Sequence, residues 1–534
     1  MTESIPGIRT FHQNSFRHVL VLEAEISYED KVKLFHIAEQ IRLAGNELTG
    51  IMKARYEQLM RTKKYRQLKK RYGKCTDRKE KKAIGEEMNE IREAYHVTWD
   101  YCRRSMILIG KRYNVDSIFA LTEAENVWRG VEKCLFSDGK KLHFLNRDER
   151  PPSIRAKQIN RGIILSKGEK GLSCRFRDIE IPLIGRDRFE RDELTAIEGY
   201  LKDPEKADRK ALDRFKKDGT VLSTYRPCYV TLVPEKIRGK LRVYVHIEVE
   251  GRSVRKYKKD GTPRHTYGYG NLGADIGTQT IAYTGRTEVG LKNLAERGPS
   301  ILENERKERL LHRAMDRSRR AMNPEYYNED GTIKKGKKRW KYSNRYRRLK
   351  AKHRELCRKN AINRHLAVNE DVNHLRSLGD RFITEQKNAK KLQKKAKYSE
   401  DENGKAKRRK RFGRSIRNRC PGYFQQKAKE VFESTGGSYT EVPSEYRASQ
   451  YDHTCDEYRK KKLSERMYRL DDGTAVQRDW YSSYLLYQYD LVSQNIDKEK
   501  CKSEFRKFYE KEEVMIAGII AEKIKVLKSG IRIN

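Results

Sequence analysis

A chain of 534 residues with 120 Lys and Arg against 76 Asp and Glu carries a formal charge of +44, an excess that repels itself unless a polyanion neutralises it and that has no role in a small-nucleotide enzyme. Nucleic acid is the partner this balance implies. The nine cysteines form no C-x-x-C pair, which excludes a disulfide framework and points to free thiols in a reducing compartment. The amino-terminal residues have no apolar core, and the longest apolar run, VMIAGIIA (514–521), is far short of the ~20 residues a membrane span needs. A soluble, cytoplasmic protein with no membrane partner is therefore expected.

In chain order, HVLVLEAEIS (18–27) reads as a strand, and Ser27 then opens a helix whose apolar positions Leu34, Ile37, Ile41, Ala44, Leu48 and Ile51 step by three and four. Residues 28–150 read as mostly α. The period then changes: SCRFRDIEIPLI (173–184), YVTLV (229–233) and LRVYVHIEV (241–249) read as strands, the last with Leu241, Val243, Val245, Ile247 and Val249 on one face. One strand precedes the helical lobe and the others follow it, so the lobe is expected to be an insertion into a β-barrel.

The stretch NLGADIGTQTIAYTG (271–285) sets a single acid, Asp275, in an apolar strand before a glycine turn and a second strand. Three uses fit this pattern: the phosphate hairpin of an actin-like ATPase, the metal-holding strand of a nuclease of the RNase H type, or an ordinary hairpin. The ATPase also needs a paired-glycine adenosine loop. Gly436 and Gly437 imitate one, but they follow a helix and precede a strand, which is what a plain helix-to-strand connection requires.

A basic helical region, broken near Pro324 and Asp330-Gly331, follows and ends in RFITE (381–385), a short strand with Glu385 at its end. Residues 387–419 hold fifteen Lys and Arg against three acids. They are either a solvated loop or a phosphate-binding segment, with Arg408, Arg409, Lys410, Arg411, Arg414 and Arg417 as its candidate contacts. A helix (422–434), a glycine turn and a strand (439–442) come next, then a hairpin turn at Asp472-Gly473 and Asp479 at the start of a helix. Asp471 and Asp472 rival Asp479 as a third acid, but they precede Gly473 in a turn and read as hairpin residues. Three separated acids on strand, strand and helix would repel one another if brought together, a repulsion best relieved by divalent cations.

The segments GADIGTQTIAY, FITEQKN and VQRDWYSSYLL, in that order, resemble the three RuvC motifs of TnpB, the transposon-encoded RNA-guided DNA nuclease family, and of the related miniature type V CRISPR effectors. The resemblance spans nearly the whole chain and is strongest over 270–490. It implies a multidomain α/β plus β-barrel architecture: an oligonucleotide-binding-type wedge barrel (1–27 and 151–270) with an inserted helical recognition lobe (28–150). An RNase H-like (RuvC) nuclease core (271–443), a degenerate zinc-ribbon-like subdomain (444–477) and a third-motif region (478–534) would follow. It also implies an endonuclease that binds a guide RNA, recognises a short target-adjacent motif and cuts double-stranded DNA with two magnesium ions held by Asp275, Glu385 and Asp479. Such a protein would act in a prokaryotic cytoplasm, on the nucleoid when bound.

Three departures stand beside the resemblance. Relatives carry four zinc-binding cysteines before the third acid, whereas this chain keeps only His453 and Cys455, which cannot close a tetrahedral site, so no zinc is expected. Gln386 and Tyr481 stand where the motifs usually have Asn, positions that orient metal ligands. The alternative they keep open is an RNA-guided DNA-binding protein, a repressor or transposition accessory, with weakened or lost cleavage; a guide-free resolvase is a third reading. Guide sequence, target motif and oligomeric state stay open at this level.

Overall fold

The computed structural model describes residues 11–13, 15–137, 139–147, 150–168, 171–296, 301–387, 413–443, 445–459, 465–527 and 529–533. The chain divides into two compact units, Met1–Tyr257 and Lys258–Asn534, and contains mixed α/β structure with several separate sheets. Among the described residues, no helix is long and apolar enough to cross a membrane.

In the first unit, strand β1 (Arg17–Glu23) leads into helix α1 (Tyr28–Arg61), whose first turn is capped where Ser27 Oγ accepts the Asp30 N–H at 3.0 Å. The predicted stripe Leu34, Ile37, Ile41, Ala44 and Leu48 is buried, and α1 packs against α4 (Trp99–Arg112) and α5 (Ser117–Phe136), beyond the basic α2 (Lys63–Lys74) and α3 (Arg78–Ala94). Strand β2 (Ile154–Arg155) then precedes a three-stranded sheet of β3 (Ile164–Gly168), β4 (Gly171–Phe176) and β5 (Ile179–Pro182). The stretch expected as one strand over 173–184 folds back on itself, because Arg177 takes φ of 53° and makes the turn between β4 and β5.

Two helices, α6 (Arg188–Lys202) and α7 (Pro204–Asp218), occupy a region expected to be β. Their sequence carried the signal: Asp187 caps α6 by accepting the Glu190 N–H at 2.8 Å, and Glu193, Leu194, Ile197 and Tyr200 recur at helical spacing on its buried side. Strands β6 (Pro227–Ile237) and β7 (Lys240–Glu250) complete a sheet in the order β1-β7-β6-β2, with Leu20 opposite Ile247 and Leu22 opposite Val245. A strand before the helical lobe does pair with a strand after it, as expected. Among the described residues the expected barrel does not close: β2 offers only two paired residues and β1 pairs on one side alone, whereas closure needs every edge bonded to a neighbour.

The second unit is built on a five-stranded sheet in the order β10-β9-β8-β11-β12. Strands β8 (Asn271–Ile276), β9 (Thr280–Thr284) and β10 (Val289–Asn293) form an antiparallel meander. Long helices α8 (Ile301–Met322) and α9 (Asn344–Leu378) lead to β11 (Arg381–Glu385), and α10 (Gly413–Arg419) and α11 (Pro421–Ser434) lead to β12 (Ser438–Val442). Both β11 and β12 run parallel to β8. Small hairpins, β13 (Tyr451–Asp452) with β14 (Glu457–Tyr458) and β15 (Met467–Arg469) with β16 (Ala475–Gln477), precede α12 (Arg478–Tyr487). A last hairpin, β17 (Tyr489–Asp490) with β18 (Asn495–Ile496), precedes α13 (Lys498–Ala521).

The two faces of this sheet are divided by the strand period of two. Leu272, Ala274 and Ile276 of β8 and Phe382 of β11 join one core with Val372, Leu375, Phe424 and Phe432 of α9 and α11. Ile383 joins the opposite core with Trp480, Tyr484 and Leu485 of α12. Gly273 lies on that second side, and a Cβ built there would stand 2.1 Å from the Ser483 carbonyl oxygen and 2.3 Å from the Tyr487 nitrogen. Helix α12 therefore sits on β8 at a distance only glycine permits.

Gly273→Ala should cost about 1–3 kcal/mol or more, since neither backbone can yield without moving an element. Gly518→Ala on α13, where a Cβ meets nothing within 4 Å, should be neutral or gain about 0.5–1 kcal/mol. Urea unfolding of the two variants checks both signs; equal midpoints would show that the β8–α12 approach is not tight.

Candidate functional site

The division of faces decides where the acids lie. Residue 275 is two beyond Gly273 on β8 and 385 is two beyond Ile383 on β11, so Asp275 and Glu385 share the α12 side of the sheet. The parallel register sets Ile383 beside Gly273 and Thr384 beside Ala274, with the Thr384 hydroxyl donating to the Ala274 carbonyl at 2.8 Å, which leaves the two acids side by side where the strands end.

The third acid arrives through α12. The helix is tied to β8 by Asn271 Nδ2 donating to the Tyr487 carbonyl at 2.9 Å, and to β9 by the Thr284 and Ser483 hydroxyls at 2.7 Å. From the Gly273–Ser483 contact, two residues along β8 advance ~6.6 Å and four residues back along α12 advance ~6 Å, which carries Asp479 alongside Asp275. All three predicted acids are thus brought together, each largely buried.

Their charge is compensated by cations of the chain itself. The Lys387 ammonium bonds Asp275 and lies 3.6 Å from Glu385 Oε2. Burial opposes its charge, but Asp275, Glu385 and Asp479 outweigh burial and hold its pKa above the ordinary lysine value. Burial and then the neighbouring Asp275 push the Glu385 carboxyl up, against the pull of Lys387. Asp479 pairs with Arg478 at 2.8 Å and with Arg466 at 3.4 Å. Three cations therefore face three acids.

Lys387, Arg466 and Arg478 did not figure among the expected site residues. Lys387 carried a readable signal, since it is two residues beyond Glu385 and so projects to the same side of extended chain.

The rival acids lie elsewhere. Asp471 pairs with Arg459 at 2.8 Å and Asp472 accepts the Thr474 N–H at 2.9 Å, both in the β15–β16 turn. Gln386 is exposed. Tyr481 is buried away from the acids, its hydroxyl accepting the His453 N–H at 3.1 Å and lying 2.9 Å from His453 Nδ1. His453 is thereby a packing residue against Tyr481 and Phe505, and burial pushes its pKa down.

Of the expected phosphate contacts, Arg408, Arg409, Lys410 and Arg411 lie outside the described residues, as does the side chain of Arg414. Arg417 lies on α10 and pairs with Glu308 at 2.9 Å.

The start of α12 is fixed by a buried relay. Gln477 caps the helix by accepting the Trp480 N–H at 2.8 Å, and its own N–H donates to Glu512 of α13 at 2.5 Å. Burial pushes the Glu512 carboxyl up to about 8.

No protein-family model and no curated protein matches the chain. Among solved structures it is similar to a Cas12f1–sgRNA–target DNA complex at 10% identity and a TM-score of 0.40, over 88% of this chain and 98% of that one. It is also similar to a Cas12i1 R-loop complex after target DNA cleavage at 10% identity and a TM-score of 0.27, over 94% of this chain and 65% of that one. A CRISPR–Cas12f ternary complex is similar at 11% identity and a TM-score of 0.23, over 87% and 85%.

The Glu512 relay gives a pH prediction. A folded-state pKa of about 8, above the ordinary 4.5, means that the folded state keeps a proton the unfolded chain releases. Stability from this group is then lost as pH rises from 4.5 through about 8. Glu512→Gln, which mimics the protonated group, should leave stability unchanged near pH 4 and raise it near pH 9. Urea midpoints across that range check this, and a variant with the wild-type pH profile would refute it.

Proposed function

We propose that the chain is an RNA-guided DNA endonuclease of the TnpB and type V CRISPR effector kind, and that its five-stranded sheet with α12 is an RNase H-like (RuvC) core. The observation that carries this reading is the gathering of Asp275, Glu385 and Asp479, from three elements far apart in sequence: the first two pair with the Lys387 ammonium, and the charge of the third acts on it. Ordinary surface ion pairing has no need of three largely buried carboxylates at one point. The charge of +44 supplies the affinity for guide RNA and target DNA.

The residues fit magnesium: the donors are hard carboxylate oxygens, and the lysine nitrogen among them already stands where positive charge is needed. Two magnesium ions, when bound, would activate water on one side of the scissile phosphate and stabilise the leaving oxygen on the other. Asp275 would serve both ions, while Glu385 and Asp479 would each hold one. Lys387 keeps the acids from repelling one another beforehand. Arg478 and Arg466 restrain the Asp479 carboxylate from beside it.

A second reading is favoured by those same ion pairs. Carboxylates that are already neutralised in the chain bind divalent ions less readily, so a guide-directed DNA-binding protein with weakened cleavage also fits. Magnesium-dependent cleavage by the purified protein loaded with its guide separates the two.

Asp275→Ala or Glu385→Ala should bring cleavage to background while guide-directed binding stays within a few-fold, because the acids serve the metal and oppose phosphate. A variant that cuts at the wild-type rate would remove its acid from the site.

Neutralising Arg408, Arg409, Lys410 and Arg411 to Gln should weaken all targets alike, since phosphate contacts carry no sequence information. Each lost duplex contact should flatten the slope of log K against log salt by about 0.9, roughly 3 to 4 for the four together. An unchanged slope would assign the segment to solvent.

A further inference from the structure

Helices α8 and α9 form an antiparallel hairpin whose register is fixed near its loop. The Ser318 and Ser343 hydroxyls meet at 2.9 Å, and Asn323 holds Lys341 through two hydrogen bonds of 2.7 and 2.9 Å. Ten residues further along each helix, away from that loop, the same register sets Glu308 opposite His353. One turn on from each stand His312 and Cys357, so the hairpin presents an E-x-x-x-H pair against an H-x-x-x-C pair. Residues four apart on a helix lie on one face, one above the other.

Three of these side chains converge, and His312 flanks them. His353 Nε2 lies 3.7 Å from Glu308 Oε1 and 3.5 Å from Cys357 Sγ. His312 Nε2 lies 3.8 Å from the same Glu308 oxygen, and the two imidazole rings are 4.5 Å apart edge to face. Ligand atoms of Glu308, His353 and Cys357 all fall within 4.8 Å of one another.

We propose that Glu308, His312, His353 and Cys357 form a tetrahedral zinc(II) site that clamps α8 to α9. Zinc with nitrogen and oxygen ligands at about 2.0–2.1 Å and sulfur at about 2.3 Å spaces neighbouring ligand atoms by roughly 3.3–3.6 Å. The observed 3.5 and 3.7 Å among Glu308, His353 and Cys357 need adjustments of only a few tenths of an ångström, whereas His312, 3.8 Å from Glu308 but outside their cluster, must swing its exposed side chain inward to complete the tetrahedron. Two imidazoles and a thiolate select zinc over magnesium or calcium, which take oxygen ligands. Cys357 binds as thiolate and gives its proton to solvent; with the Glu308 carboxylate it balances the two charges of the ion.

A supporting residue is in place. Arg417 of α10 donates to Glu308 Oε2 at 2.9 Å and to Oε1 at 3.4 Å, which orients the carboxylate with Oε1 toward the imidazoles. Cys357 and His312 are exposed, so an ion has a path in. These four ligands lie outside the segment containing His453 and Cys455, on which the zinc-free expectation rests. The clamp would rigidify a long basic hairpin that ends at β11, the strand bearing Glu385.

Cobalt(II) is the probe that tells these ligands from the acid cluster. Metal-stripped full-length protein in excess magnesium should bind one equivalent of cobalt with a thiolate-to-cobalt charge-transfer band and the intense visible absorption of tetrahedral cobalt, and zinc should bleach both. Cys357→Ser should abolish the charge-transfer band, and His353→Ala should weaken binding about 100-fold. Cys455→Ser should leave the spectrum unchanged. Circular dichroism identical to wild type shows that the exposed Cys357→Ser substitution has not unfolded the chain. Absence of the band in the wild-type protein, or a band that survives Cys357→Ser and is lost in Cys455→Ser, would overturn the site.

Discussion

The close seating of α12 on β8 at Gly273 is the constraint on which the site depends. Without a side chain at that position the helix backbone reaches the strand, and the hydroxyl pair Thr284–Ser483 and the Asn271 amide then hold it there. The third acid is brought to the other two by this contact and by nothing in its own local sequence. A helix one side-chain diameter further out would carry Asp479 away from Asp275 and loosen the core that Trp480, Tyr484 and Leu485 form against the sheet.

Placing three carboxylates together has an electrostatic cost, and the chain offsets it locally. Lys387, Arg466 and Arg478 sit beside the acids in a partly buried setting, where charge pairing is screened far less than at the surface. The raised pKa of Glu385 is what remains of its burial, and then of the repulsion from Asp275, after Lys387 has acted. Such an arrangement is held together without an added ion, because each acid has a cation of the chain beside it. The same compensation accounts for the pull of the alternative reading, because a cluster already neutralised has less to gain from a divalent cation.

Zinc at the α8–α9 hairpin would be a separate device in the same unit. The acid cluster has hard oxygen donors and compensating cations; the hairpin cluster has nitrogen, sulfur and a single oxygen. Their chemistries do not overlap, so the two can be occupied by different metals at once.

Much of this was legible in the sequence because it is governed by local rules. The α1 stripe from Leu34 to Leu48 follows from helical period, the β11 strand from its apolar run, and the choice of Asp479 over Asp471 and Asp472 from the preference of an Asp-Gly pair for a turn. Lys387 was available by the same rule of two that placed Glu385. The barrel was misjudged because closure depends on whether distant edges pair, and a two-residue β2 gives no sequence signal of stopping short. Tyr481, three residues before Tyr484 in a short aromatic helix, could face either the acids or His453, and only the packing around Phe505 decided it. The sequence by itself determined the strands and helix that carry the three candidate acids and the excess of positive charge, since these depend on composition and on neighbours a few residues away. Only the tertiary structure decided which cations meet those acids and which helix faces meet across the α8–α9 hairpin, because both depend on the register between segments whose separation in the chain no local period encodes.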